Sequence, residues 1–219
     1  MLLSDIHGSI GRLERALDFY RNEHCDMLLL LGDIINYGPR NRIPDDINPA
    51  AIVERLNAMS GDIVAVRGNC DSDVDQMLLK FPMMADYAVV VDGGRRIFLT
   101  HGHIYNENNM PPCRHDVFVY GHTHLWKLCR DNSGQVICNT GSVTFPKEDR
   151  EPTFALYDDG EMSIRRLDGS VVAYMIPVVR GCLPSVPCGA FPVPRAVVCQ
   201  PLHKVVKKQN FHSYVRLLH

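Results

Sequence analysis

Five short stretches of the chain end an apolar run with side chains that can bind metal or move protons. They are Asp5-Ile6-His7-Gly8, Gly32-Asp33, Arg67-Gly68-Asn69-Cys70-Asp71, His101-Gly102-His103 and Gly121-His122-Thr123-His124. Carboxylate, imidazole and amide are oxygen and nitrogen donors for a hard or borderline divalent ion, with no requirement for thiolate. Two Asp, four His and one Asn exceed what a single ion with an open position can use. They suit two ions that share a carboxylate. Such a pair can activate a bridging water and neutralise a phosphate in line. Two divalent ions, two carboxylates and one hydroxide leave a net positive site, which fits a phosphate ester but does not separate monoester from diester.

The elements that must position these groups are short. Leu2–Ser4 is the stub of a strand, and Ser9 can cap a helix carrying Ile10, Leu13, Leu17 and Tyr20 on one face. Met27–Leu31 and Ile63–Val66 are continuous apolar runs of the kind buried on both faces of a parallel sheet. Asn48 and Pro49 open a second helix, and Ser72 a third carrying Val74, Met77 and Leu78, with Met77-Leu78-Leu79 read as core. The pattern then turns to hairpins and strands: Tyr87–Val91 with Ile97–Thr100, Val117–Tyr120, Leu125–Arg130 with Gln135–Cys138, Thr153–Tyr157, Glu161–Leu167 and Val171–Ile176. Early βα alternation followed by strands predicts a mixed α/β fold with more than one sheet. The carboxyl ends of such strands line one crevice, where five polar runs can converge.

In this order, Asp5-x-His7, Gly32-Asp33, Gly68-Asn69, His101 and Gly121-His122-x-His124 resemble the calcineurin-like metallophosphoesterases. Ser4–Gly8, Gly38-Pro39-Arg40-Asn41, Val66–Ser72, Leu99–His103 and Val119–Leu125 resemble the bacterial YfcE-type phosphodiesterases within them. The resemblance implies a four-layer αββα sandwich with two mixed β-sheets over residues 1–178. It implies one metal held by Asp5, His7, Asp33 and His124, and a second by Asp33, Asn69, His101 and His122, with Asp33 bridging. The ions expected are two divalent metals, Mn2+ first, with Fe, Zn, Co and Ni as alternatives. The activity implied is phosphodiester hydrolysis through a metal-bridging hydroxide, with Asp33, Asn69, His101 and Cys70 as catalytic candidates. A phosphomonoesterase or nuclease with the same site, or a non-catalytic scaffold of the same fold, is the alternative.

Many relatives place His directly after the metal-binding Asn, where this chain has Cys70, as the YfcE-type branch does. A thiol cannot serve as an imidazolium, so leaving groups that need a proton are expected to react slowly. Cys70 is read either as a small filler or as a thiol facing phosphate. Asn36, Arg40 and His103 are candidate phosphate contacts. His24, His115, His203, His212 and His219 are read as structural or surface groups. Asn106–Pro112 is read as a loop that could rim the site.

The 219 residues carry 23 Lys and Arg against 25 Asp and Glu, a net charge of −2, and 46% are apolar. No apolar run approaches the length of a membrane span, so a membrane partner is excluded. The start of the chain lacks a basic, apolar leader, which with eight scattered cysteines leads us to expect the cytoplasm and reduced thiols. Only four residues precede Asp5, and a shortened first strand is expected to weaken stability or metal binding. Residues 180–219 hold six basic and no acidic groups, leaving −8 on residues 1–179. Residues 179–219 are therefore expected to be a separate Pro- and Cys-rich basic tail without long regular structure. The acidic body argues against nucleic acid and for a small phosphate ester as partner. A homo-oligomer is expected only by resemblance.

Overall fold

The computed structural model describes residues 1–176 and 214–216. In chain order the elements are β1 (Leu2–Leu3), α1 (Ile10–Asn22), β2 (Leu28–Leu30), α2 (Pro49–Asn57), β3 (Ile63–Ala65), α3 (Asp73–Leu78), β4 (Tyr87–Asp92), β5 (Arg95–Thr100), β6 (Val117–Tyr120), β7 (Lys127–Arg130), β8 (Val136–Asn139), β9 (Thr153–Asp158), β10 (Glu161–Arg166), β11 (Val171–Met175) and β12 (Tyr214–Arg216). They form two six-stranded mixed sheets, ordered β11-β10-β9-β1-β2-β3 and β12-β4-β5-β6-β8-β7. In the first sheet parallel β1-β2-β3 form one half and antiparallel β9, β10 and β11 the other, whereas in the second parallel β5-β6-β8 are central with antiparallel strands on both flanks. Two-residue β1 is central, paired to β2 on one side and β9 on the other.

Strand alternation assembles the layers. Leu3, Leu28 and Leu30 face Leu13, Leu17, Ile52 and Leu56 of α1 and α2. Their neighbours Leu2, Leu29 and Leu31 face the opposite way, onto Ile97, Leu99, Val117 and Val119 of the second sheet. A period of two on each strand thus divides one apolar run between two cores. The outer face of the second sheet carries Phe98, Phe118, Tyr120 and Ile137, covered by Tyr105 and Met110. Those two side chains come from the 101–116 loop, so among the described residues this outer face is covered by irregular chain. No helix among the described residues is long and apolar enough to cross a membrane.

The helix starts follow their caps. Ser9 Oγ accepts from the Arg12 N–H, and Asn48 Oδ1 accepts from Ala51 with Pro49 in the first turn. The third helix departs from expectation. Val74, Met77 and Leu78 are exposed, Met77 to 81%, while Asp75 is the buried residue. The cause is the capping box: Asp75 Oδ2 accepts from the backbone N–H (2.8 Å) and hydroxyl (3.1 Å) of Ser72, which turns the capping face inward. The core is filled by Leu79, as expected, and by Phe81 and Met83, all just beyond the helix. At the other end of the chain, the basic segment contributes β12, which pairs antiparallel with β4 and forms the edge of the second sheet. The rest of that segment lies outside the described residues. The five described cysteines, Cys25, Cys70, Cys113, Cys129 and Cys138, are free.

Phe154, fully buried and 4.8 Å from the Phe19 ring centroid, tests this layering. Phe154→Ala is expected to cost about 3–5 kcal/mol in denaturant unfolding. Met77→Gln, on the exposed face of α3, is expected to stay within about 0.5 kcal/mol of the parent.

Candidate metal centre

All seven expected ligands come together, four from the first sheet and three from the second. Asp5 and His7 follow β1, Asp33 follows β2 and Asn69 follows β3. His101 follows β5, and His122 and His124 follow β6. Adjacent loops are zipped by backbone hydrogen bonds: Asp5 N–H to Gly32 O, His7 N–H to Asp33 O, and Gly121 N–H to His101 O. Asp5, His7, Asp33, His122 and His124 all have φ between 50° and 63°. Non-glycine residues in this left-handed region are strained by on the order of 1–3 kcal/mol each, and persist only where the surroundings enforce them. Gly68 and Gly121 permit the close approach. A Cβ on Gly68 would lie 2.1 Å from Asp33 Oδ1, and one on Gly121 would lie 2.0 Å from Ser4 Oγ.

The donor atoms fall into two linked groups. In the first, Asp5 Oδ1 lies 3.1 Å from His124 Nε2 and 3.5 Å from His7 Nε2, and the two Nε2 atoms are 3.3 Å apart. In the second, His101 Nε2 lies 3.4 Å from Asp33 Oδ2, 3.1 Å from Asn69 Oδ1 and 3.2 Å from His122 Nδ1. Asp33 Oδ2 is also 3.7 Å from His7 Nε2, so this carboxylate reaches both groups.

The chemistry of these donors fits metal ions. His7, His101 and His124 each direct Nδ1 at a backbone carbonyl, of Asn36 (2.9 Å), Leu31 (2.7 Å) and Phe145 (2.7 Å). Donating Nδ1–H there leaves an Nε2 lone pair on each neutral ring aimed at the carboxylates, the arrangement expected of metal-ligating histidines. Lone pairs facing each other at 3.3 Å repel unless a cation lies between them. Asp5 Oδ1 is buried and receives no hydrogen bond. Asp5 Oδ2, by contrast, is saturated by the Ser4 hydroxyl (2.6 Å) and the His122 N–H (2.9 Å).

The protonation of the centre shows the same demand for positive charge. Burial opposes ionisation of Asp5, yet His124 and His7 hold its carboxyl well below the usual carboxylate range. Burial also opposes ionisation of Asp33, and His101 outweighs it. Burial disfavours the charged form of His101, but the hydrogen bond to Asp33 and the charge of Asp5 raise its pKa to about 9. Burial, then the charge of His101, lowers His122 to about 4.

A supporting shell was not apparent from sequence reasoning. Buried Asp71 accepts from the backbone N–H groups of Asp33 (2.8 Å), Ile34 (3.0 Å) and Gly68 (2.7 Å), tying the β2 and β3 loops together. Ser142 Oγ donates to the Asp5 carbonyl (2.9 Å), and Asn139 Nδ2 donates to the Gly121 carbonyl (2.9 Å). The available signal was the end of β8, Asn139-Thr140-Gly141-Ser142, since β8 runs parallel to β6 and ends at the same edge. Asn41 also reaches the centre, with Nδ2 3.4 Å from His7 Nε2.

The remaining candidates separate. Cys70 donates its N–H to Asp33 Oδ1 (2.8 Å), and its sulfur accepts from Asn69 Nδ2 (3.2 Å). Burial and then the Asp33 charge push its thiol up to about 12, so it is protonated at neutral pH. His103 lies beside His101, ring centroids 5.3 Å apart, with a buried Nδ1 that has no partner. Asn36 serves through its backbone carbonyl while the residue itself is exposed, and Arg40 is exposed.

Two expectations follow. Asp71→Asn puts an amide N–H against backbone donors, and is expected to cost about 1–3 kcal/mol of stability and to weaken metal binding about tenfold or more, read by unfolding and metal titration. Metal uptake should also displace the His101 proton. Because the pKa of His101 is raised, its contribution to metal-free stability is complete below 6.5 and is lost as pH rises through about 9. Metal affinity is therefore expected to rise with pH up to about 9, with proton release visible by calorimetry in buffers of different ionisation enthalpy.

Comparison with known proteins agrees with this geometry. The calcineurin-like phosphoesterase superfamily domain matches residues 1–161. Phosphodiesterase YfcE of Escherichia coli K12 is 43% identical over 176 residues, covering 79% of this chain and 95% of that protein. The solved structure of Escherichia coli YfcE, described as a phosphoesterase, superposes with a TM-score of 0.77 at 41% identity, over 81% of this chain and 98% of that one. Vps29 from Chaetomium thermophilum shares the fold, with a TM-score of 0.52 at 16% identity over 80% of this chain and 94% of that one. A domain match over most of the chain and this degree of identity to YfcE make the chain a member of the calcineurin-like phosphoesterase superfamily.

Proposed function

We propose that the protein is a metal-dependent phosphodiesterase using two divalent ions. The observation that carries this reading is the pair of donor groups joined by Asp33, each with lone pairs converging on one point. Asp5, His7 and His124 would hold one ion and Asn69, His101 and His122 the other, with Asp33 shared between them. Manganese is the favoured metal, with Fe, Zn, Co and Ni as the other ions of suitable donor preference. When bound, the ions supply an activated water as nucleophile and neutralise charge on the phosphate.

The chain's own residues supply orientation. The carbonyls of Asn36, Leu31 and Phe145 fix the three imidazole tautomers, and Asp71 holds the loops of Asp33 and Asn69 in register. Exposed Asn69 marks the open side of the centre. Cys70, as a neutral thiol, packs beside Asp33 and provides no proton for a leaving group, while the position of His103 beside His101 supports its reading as a phosphate contact. Preference for diesters over monoesters rests on the similarity to a protein named a phosphodiesterase. The −8 body supports a small ester over nucleic acid.

Hydrolysis of an aryl phosphodiester by metal-stripped protein should return on adding manganese and fall by several orders of magnitude in Asp33→Ala. Absence of turnover with every one of these ions would reject the enzyme reading. Cys70→His should raise turnover of diesters with poor leaving groups, cyclic nucleotides among them, by about tenfold or more relative to aryl esters. An unchanged ratio would remove Cys70 from the account of leaving-group preference.

A further inference from the structure

A cleft of about 380 Å³ adjoins the metal centre, lined by Arg12, Arg15 and Arg42 together with Asp45, Asp46 and Phe145. Three features tie it to the centre. Phe145 forms a wall of both, since its carbonyl accepts from His124 Nδ1 and its ring lies 5.7 Å from the His7 ring. Arg42 follows Asn41, whose amide reaches His7, and its guanidinium carbon is 5.9 Å from the centre of the Phe145 ring. Arg12 and Arg15 lie on the first turns of α1, which begins three residues after His7.

The electrostatics of the cleft are unusual for this chain. Among the described residues, none of the three arginines has a carboxylate within ion-pairing distance. Asp46 is committed elsewhere, accepting from the Ser9 hydroxyl (2.8 Å) and the Gly11 N–H (2.7 Å). Even with Asp45 and Asp46 counted, the lining is net positive, in a body that carries −8. Unpaired guanidinium groups in a concave site present forked donors that match phosphate oxygens bidentately. The cleft is also too large for a lone ion and suits a ligand fragment.

We propose that this cleft is a subsite for a second phosphate group carried by the substrate. The preferred ester is then a phosphodiester one of whose alcohol components bears a further phosphomonoester. The reacting phosphate lies on the metal centre, and the second is held by Arg12, Arg15 and Arg42. This inference rests on the diesterase reading for its substrate class, but its geometry is independent of it.

The test uses manganese-loaded protein and two matched ligand pairs. The first pair is thymidylate and the same nucleotide carrying a second phosphate on its free sugar hydroxyl, compared by calorimetric titration. The second pair is the p-nitrophenyl esters of those two compounds, compared by turnover. The doubly phosphorylated member of each pair is expected to be favoured about tenfold or more, in affinity and through a lower KM. The ratio should fall toward one in the triple variant R12Q/R15Q/R42Q and fall partway in R42Q alone, which guards against a folding defect in the triple variant. Equal or undetectable affinities for the first pair would overturn the subsite, as would a preference that survives in the triple variant. An intact, arginine-dependent affinity difference without turnover of either ester would support the subsite and overturn the diesterase reading instead.

Discussion

The structure is organised around a concentration of lone pairs that the polypeptide alone does not neutralise. Asp5, Asp33 and three imidazoles with committed Nδ1–H groups aim carboxylate oxygens and Nε2 atoms at a common volume in the interior. In water such donors would separate or bind protons. Here they are held together by backbone in the left-handed region at five ligand positions, which is tolerable only because neighbouring loops are hydrogen-bonded to one another. Desolvation and like charge oppose this assembly, and a bound cation relieves both. The raised pKa of His101 is the local record of that demand.

The two-sheet architecture is what makes the concentration possible. Each sheet contributes strands that end at one edge, so ligands far apart in sequence arrive from opposite sides of one crevice. The alternating leucines of β1 and β2 face the helices on one side and the second sheet on the other, which fixes the strand ends rigidly. Rigid scaffolding with short polar loops at its rim is the usual division of labour in such folds. Asp71, Asn139 and Ser142 complete it by binding loop backbones rather than metal. The cleft of Arg12, Arg15 and Arg42 extends the same rim with opposite charge, so one edge of the sandwich carries both a cation-seeking and an anion-seeking surface.

Much of this was legible in the sequence because chemistry and local structure coincide in it. Apolar runs end in Asp, His or Asn beside Gly, since only glycine lets one strand-end loop pass within contact of the next, as Gly68 does beside Asp33. Ser9, Asn48 and Ser72 announced their helices because capping is a local interaction. The apolar face of α3 misled for the same reason. Apolar character predicts a buried Met77 and Leu78, but a six-residue helix is oriented by its capping box and by the chain that follows it. The supporting role of Asp71 was hidden because two of its three backbone partners, Asp33 and Ile34, are 38 and 37 residues distant in the chain.

The sequence by itself determined the family and the set of donor side chains to expect at one centre, because these depend on residue types at short spacings and on their order. The tertiary structure alone decided which donor atoms meet, which tautomer each histidine adopts and where the protons sit. It also decided that three arginines from two separate segments share one cleft. Those properties depend on distances across strands that no local pattern encodes. They arise only when two sheets pack and bring their strand ends to a common edge.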